Sequence, residues 1–166
     1  MKLLTTILAF TLLLAASTAN TAKATVRYAS PTGTDPQGLS ASSPGSLRAM
    51  ADSLQAGDTL LLADGQYDLT QTLVINKKGT ADKWVSICAE PGAKPILDGR
   101  NLPNQTNGMK VSGQYILIKG LTIRYTGKKG IWLEYANYCR VEQLDVYGCC
   151  DSGIQLRKGG HNMVVK

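Results

Sequence analysis

Tyr115-Ile116-Leu117-Ile118-Lys119-Gly120-Leu121-Thr122-Ile123 is answered, one repeat further on, by Tyr138-Cys139-Arg140-Val141-Glu142-Gln143-Leu144-Asp145-Val146. The same offset carries Gly130-Ile131-Trp132-Leu133 onto Gly153-Ile154-Gln155-Leu156, and a third pass begins at His161. A period of about 23 residues lies in the range of roughly 20 to 50 that marks a solenoid, whose repeats bury their apolar faces only against their neighbours. Within each repeat, apolar residues alternate (Ile116/Ile118, Leu121/Ile123, Ile131/Leu133), the period-two pattern of half-buried strands. No repeat has room for a crossover helix. Three short parallel strands per turn, stacked at about 4.8 Å, make the expected fold an all-β, right-handed parallel β-helix. Leucine-rich repeats share the period, but their Leu-x-x-Leu-x-Leu-x-x-Asn frame is missing.

Working toward the N-terminus, strand patterns run from Gly57 to Leu62, Tyr67 to Leu69, Thr72 to Ile75, Trp84 to Cys88 and Pro95 to Asp98. Turn chemistry separates them at Asp64-Gly65, Lys78-Gly79, Glu90-Pro91-Gly92 and Asp98-Gly99, and Arg100 to Gly108 reads as a polar loop. Ahead of the strands, Leu47, Met50, Ala51 and Leu54 recur at helical spacing, with Ser43-Pro44 as cap and first turn and Gly57 as stop. This one short helix is expected to cover the N-terminal end of the β-helix, where a solenoid otherwise bares its core. Tyr28 to Gly33 reads as an exposed lead and the Gly, Ser and Pro residues up to Gly45 as an irregular loop.

Met1 to about Ala24 has the form of a secretory signal: Lys2, then an apolar stretch from Leu3 to Ala16, then Ala22-Lys23-Ala24 as a small-x-small cleavage site. The apolar stretch is shorter than the roughly 20 residues a membrane anchor needs. The expectation is a secreted, extracellular or periplasmic protein with no membrane anchor, in which residues 25–166 are the N-terminal part of one β-helix domain that continues past Lys166. The chain carries 18 basic and 12 acidic residues; without Lys2 and Lys23 the balance is 16 to 12, a net charge of +4. A mild basic excess on an exported solenoid suits an acidic polymer. Nucleic acid is the poorer partner, since aromatics are sparse and no Lys/Arg tract occurs.

Cys88, Cys139, Cys149 and Cys150 have no zinc-ligand spacing, and the single His161 does not complete one. Cys139 aligns with the inward Ile116 and reads as a small buried hydrophobe. Cys149 and Cys150 fall in a turn, either as free thiols or with a longer link to Cys88. Asn162 aligns with the inward Cys139 and would begin an internal asparagine stack; His161 reads as a surface residue.

Gly57-Asp58-Thr59-Leu60, Gly65-Gln66-Tyr67, Gly79-Thr80-Ala81, the run from Glu90 to Gly99, Ile118 to Ile123 and Gly130-Ile131 together resemble the N-terminal half of polysaccharide lyase family 9, the secreted pectate lyases. The resemblance extends from Tyr28 to Lys166, and part of it is shared with family 6 lyases acting on alginate or chondroitin-type polymers. It implies elimination on an anionic uronan, with calcium held by clustered aspartates neutralising the uronate carboxylate and a lysine removing the C5 proton. The complete enzyme is expected to be monomeric. The family's aspartate-rich segments do not occur up to Lys166, which itself matches no base motif; catalytic residues and calcium ligands are therefore expected beyond it, and none is assigned here.

Candidate substrate-binding residues follow from alternation. With Ile131, Leu133, Ile154 and Leu156 inward, Trp132, Glu134, Gln155 and Arg157 point outward. The period stacks Trp132 on Gln155 and Glu134 on Arg157, while Lys128 and Lys129 precede one strand and Asp151 and Ser152 the other. Lys128, Lys129, Trp132, Gln155 and Arg157 offer a stacking ring, an amide, a guanidinium and positive charge for uronates. The plainer reading is a solvated ladder with a Glu134–Arg157 ion pair, worth under about 1 kcal/mol. Asp145 and Asp151 are single carboxylates, against the roughly 6 to 8 oxygens calcium takes. Beside the lyase stand a non-catalytic polysaccharide-binding or structural β-helix, a lyase for another uronan, and a glycoside hydrolase, whose paired carboxylates are also missing.

Overall fold

The computed structural model describes residues 23–165, so the expected leader lies outside the described residues apart from Lys23 and Ala24, as does Lys166. The elements are β1 (Val26–Ala29), α1 (Leu47–Ser53), β2 (Thr59–Leu62), β3 (Gly65–Asp68), β4 (Leu73–Ile75), β5 (Val85–Ala89), β6 (Pro95–Asp98) and β7 (Met109–Val111). They continue with β8 (Ile116–Lys119), β9 (Thr122–Arg124), β10 (Ile131–Glu134), β11 (Arg140–Glu142), β12 (Asp145–Tyr147), β13 (Ile154–Arg157) and β14 (Met163–Val165). All pairings between these strands are parallel, in three sheets: a first of β1-β2-β5-β8-β11-β14, a second of β3-β6-β9-β12 and a third of β4-β7-β10-β13. Each of the four coils from β2 to β13 contributes one strand to each sheet, with β1 and β14 extending the first, which is the expected parallel β-helix.

The expected register holds: Ile131 pairs with Ile154 and Leu133 with Leu156 on adjacent coils. Inward residues such as Leu60, Ile87, Leu97, Met109, Ile116, Ile123 and Ile131 are fully buried and form one axial core. Burial of each such side chain is worth about 1.5–3 kcal/mol, and every coil lends this to the next. Along the first sheet the steps from Leu117 to Arg140 and from Arg140 to Met163 keep the period of the repeat, whereas those from Thr59 to Ser86 and from Ser86 to Leu117 exceed it. The extra residues of the early coils sit in loops, the longest between β6 and β7.

Corners recur with the repeat because the backbone turns through left-handed residues. Tyr115, Tyr138 and His161 have φ of 51°, 53° and 56°; Gly120 and Gln143 have 74° and 51°; Tyr125 and Gly148 have 54° and 66°; Tyr135 and Lys158 have 56° and 50°. For residues other than glycine this conformation is costly. At the first corner stacking offsets the cost: the Tyr115 and Tyr138 rings lie 4.8 Å apart, Tyr138 and His161 lie 4.9 Å apart, and Trp84 meets Tyr115 edge-on at 5.7 Å. His161 is an exposed surface residue as expected, and it continues an aromatic ladder.

The helix does cover the N-terminal end. Leu47, Met50 and Ala51 are buried, and α1 packs on β1, β2 and β4. Its cap is Ser46, whose hydroxyl accepts from the Ala49 N–H at 3.4 Å, rather than Ser43-Pro44, and its C-cap is Leu54 ahead of Gly57. The exposed lead is corrected as well: Val26–Ala29 is a strand, paired parallel with β2. Asp58 anchors it. The buried carboxylate accepts from Thr25 N at 2.8 Å and from Gln55 N at 2.9 Å, tying β1 to the helix exit.

Cys88, Cys139, Cys149 and Cys150 are all free thiols, so no link to Cys88 forms. Cys139 is buried as expected, and burial pushes its thiol and that of Cys88 up from the ordinary value, which keeps both protonated and unreactive. Asn162 turns inward to accept from Cys139 N at 2.9 Å and donate to Ala136 O at 2.8 Å, tying its corner to the one in the preceding coil. Among the described residues no helix is long and apolar enough to cross a membrane.

Candidate functional site

The outer face of the third sheet carries one ladder, Val74–Lys110–Trp132–Gln155, each residue the register partner of the next. Alternation puts these side chains outside because their neighbours fill the core. Lys110 Nζ lies 4.5 Å from the centre of the Trp132 ring, and Lys129 Nζ 6.0 Å from it. Both distances suit attraction between an ammonium and the indole face. The Trp132 Nε1–H is buried and has no hydrogen-bond partner among the described residues.

Of the five predicted residues, Trp132 and Gln155 are register partners on this face, Arg157 lies two residues along from Gln155 on β13, Lys129 approaches the indole, and Lys128 precedes Lys129 at the corner. Arg157 is exposed, Gln155 and Lys128 are half-buried, and Lys129 is buried and engaged in an ion pair with Asp151. That bond, the largest influence, holds the Asp151 carboxyl below the usual carboxylate range. The expected Glu134–Arg157 pair is corrected: the two are register partners, but the Glu134 carboxylate is buried and reaches back to Lys110 Nζ at 3.2 Å. A buried carboxylate needs a cation close by, and β7 supplies one. Alternation over Met109–Val111 is too short to reveal that strand, so Lys110 escapes a reading of the sequence.

A second cluster lies on the outer face of the second sheet, along the ladder Asp68–Asp98–Arg124–Tyr147. Arg124 is tied down at three donors: Nε to Asp98 Oδ2 at 2.7 Å, Nη2 to Gln66 Oε1 at 2.7 Å and Nη1 to the Tyr147 hydroxyl at 3.4 Å. Gln66 in turn donates to Asp68 Oδ1 at 2.7 Å. Burial by itself would raise the Asp98 carboxyl, but the Arg100 N–H, the Arg124 guanidinium and the charges of both arginines hold it below the usual range. Beside this cluster Arg100 lies over the Tyr125 ring, its guanidinium carbon 4.2 Å from the ring centre; that of Arg124 is 5.3 Å away.

Among the described residues no group of three or more His, Cys, Asp or Glu side chains converges. The buried carboxylates are already committed, Asp58 to backbone N–H groups, Asp98 to Arg124 and Glu134 to Lys110.

Comparison with known proteins supplies the remaining observations. The family described as "Pel9A-like, right handed beta helix region" matches residues 27–166. "Pectate lyase L" of Paenibacillus polymyxa (strain SC2) is 27% identical over 120 residues, covering 70% of this chain and 26% of that protein. "Pectate lyase L" of Thermoclostridium stercorarium is 28% identical over 138 residues, covering 79% of this chain and 11% of that one. Among solved structures, pectate lyase Pel9A superposes with a TM-score of 0.68 at 21% identity, over 84% of this chain and 46% of its own. An alginate lyase from Paenibacillus sp. str. FPU-7 superposes with a TM-score of 0.61 at 20% identity, over 81% and 43%. These structures share the fold, and the chain spans less than half the length of each of these four relatives.

Proposed function

Since the chain belongs to the Pel9A-like right-handed β-helix family, which matches residues 27–166, we propose that it forms the N-terminal portion of a secreted polysaccharide lyase. The proposed reaction is β-elimination on pectate or polygalacturonate, calcium-assisted in the complete enzyme. The pectate lyase relatives support that polymer, and the structural likeness to an alginate lyase keeps other uronans as the nearest alternative. In this reading the part of the described residues is to hold substrate.

The observation that carries this role is the third-sheet face, where the Trp132 indole lies beside the Lys110 ammonium and the exposed Arg157 stands on the adjoining strand. A uronan fits this arrangement with a sugar ring on the indole and a carboxylate at the exposed Arg157 guanidinium, Lys110 and Lys129 being already paired with Glu134 and Asp151. Replacing Trp132 or Arg157 by Ala is expected to weaken oligogalacturonate binding by roughly 1–3 kcal/mol, read by isothermal titration calorimetry. Unchanged affinity in both variants would reduce the face to a solvated ladder.

Elimination also needs a stabiliser for charge developing on the substrate carboxylate and a positioned base, which this reading assigns to the rest of the complete enzyme. With calcium and polygalacturonate at alkaline pH, the 166-residue chain is expected to give no rise in ultraviolet absorbance from unsaturated product. A steady calcium-dependent rise that EDTA abolishes would put the chemistry inside these residues. The second reading, a β-helix that binds polysaccharide without cleaving it, is favoured by the commitment of the buried carboxylates to partners within the fold.

A further inference from the structure

We infer that Arg100 and the groove beside Tyr125 form a second subsite, taking a carboxylate of an acidic oligosaccharide at the corner between the second and third sheets. The ligand class rests on the uronan reading above; the place rests on the geometry of this corner. Two arginines share the Tyr125 ring and are used differently. Arg124 commits its donors to Asp98, Gln66 and Tyr147. The Arg100 guanidinium makes no hydrogen bond among the described residues; its nearest carboxylate oxygen, Asp98 Oδ1, is 4.0 Å from Nε, and its side chain is 58% exposed. It nevertheless lies over the Tyr125 ring at 4.2 Å, on a backbone whose N–H donates to Asp98 Oδ1 at 3.0 Å. A fork of donors fixed before the ligand arrives loses little freedom on binding a carboxylate.

The space next to it is built rather than incidental. A groove of about 280 Å³ runs past Arg100, Asn104, Thr126, Gly127 and Gly148. Thr126 is buried, and its Oγ1 has no hydrogen-bond partner among the described residues. Gly148 is compelled by the ring: with φ of 66°, a Cβ there would lie 2.6 Å from Tyr125 Cδ1. At Gly127 a side chain would press on the Pro103 carbonyl oxygen at 3.0 Å and the Gln105 nitrogen at 3.1 Å. The charges also favour an anion. Asp98 is paired with Arg124, and Asp68 lies on the far side of Asp98 from Arg124 and is bound by Gln66. Arg100 is left as the cation facing the groove.

The test is a titration of the isotopically labelled protein with trigalacturonate and with its carboxyl-reduced, neutral analogue, followed by amide NMR shifts. Trigalacturonate is expected to move the amides of Gly99, Gly127 and Gly148. Arg100→Ala, and Arg100→Gln with its near-native bulk, should weaken that response about tenfold while leaving the shifts around Trp132 in place. An unchanged response in both variants, or shifts confined to Trp132 and Arg157, overturns this subsite and leaves the uronan reading standing. Equal shifts with the neutral analogue overturn the carboxylate assignment. No binding of trigalacturonate by the unmodified protein overturns both.

Discussion

Gly113→Ala is expected to cost the fold roughly 4 kcal/mol or more, the top of the range for single substitutions. A Cβ at this position would overlap the Lys77 carbonyl oxygen and lie 2.7 Å from Ile116 Cδ1 and 2.8 Å from the Lys77 nitrogen. Neither backbone can step aside. Lys77 O accepts from Gln114 N at 3.0 Å on one side, and Gly113 O accepts from Asn137 N at 3.0 Å on the other. Three coils are thus pinned through one residue without a side chain. Gly92 provides the control, since it has φ of 80° and nothing within 4 Å, so Gly92→Ala should cost only the left-handed penalty of about 1–2 kcal/mol. Urea unfolding of the two variants decides the matter: equal midpoints would show that the coils separate to admit the methyl group.

Asp98→Ala is the second large effect, expected to cost roughly 2 to 4 kcal/mol, because removing one member of a largely buried pair leaves the other unpaired. The Asp98 side chain is 1% exposed and that of Arg124 18%. The pair also predicts a pH dependence. The folded carboxyl is held below its ordinary value, so the folded state releases the proton more readily than the unfolded chain, whose aspartates titrate near about 3.9. The stabilisation is fully present above that value and is lost as pH falls through the lower, folded value. Acid unfolding followed by circular dichroism should be less steep in Asp98→Asn than in the unmodified protein. An identical slope would mean that other carboxylates govern it.

How much of this was legible depends on where the chain keeps its period. From Tyr115 onward the spacing is regular, and Ile131, Leu133 and their partners stand where the repeat placed them, because a one-residue slip would turn every apolar side chain outward. The earlier coils carry longer loops, and there alignment says nothing about which residues meet. The step from Asp98 to Arg124 overshoots the period and that from Lys110 to Trp132 falls short of it, so neither contact is visible in the repeat. The same irregularity hid β7, whose few residues after a polar loop give alternation too little length to register. Val26–Ala29 was hidden for another reason. It lies ahead of α1 in sequence yet pairs with the strand after it, and pairing across an intervening helix leaves no local trace. The outer ladder through Trp132 was legible because outward positions are fixed by inward ones; the Arg100 groove was not, because it is made by loop residues.

The unequal coils also say how such a protein can change. The climb from Thr59 to Ser86, from Ser86 to Leu117 and from Leu117 to Arg140 takes a different length of chain each time, while the stacking of the walls is unaffected. Residues added at a corner are not transmitted along the axis, since the next coil reads only the strand beneath it. Core and rim are thereby uncoupled as objects of variation. A lineage can lengthen one rim loop, reshape a binding edge and keep the same column of buried side chains.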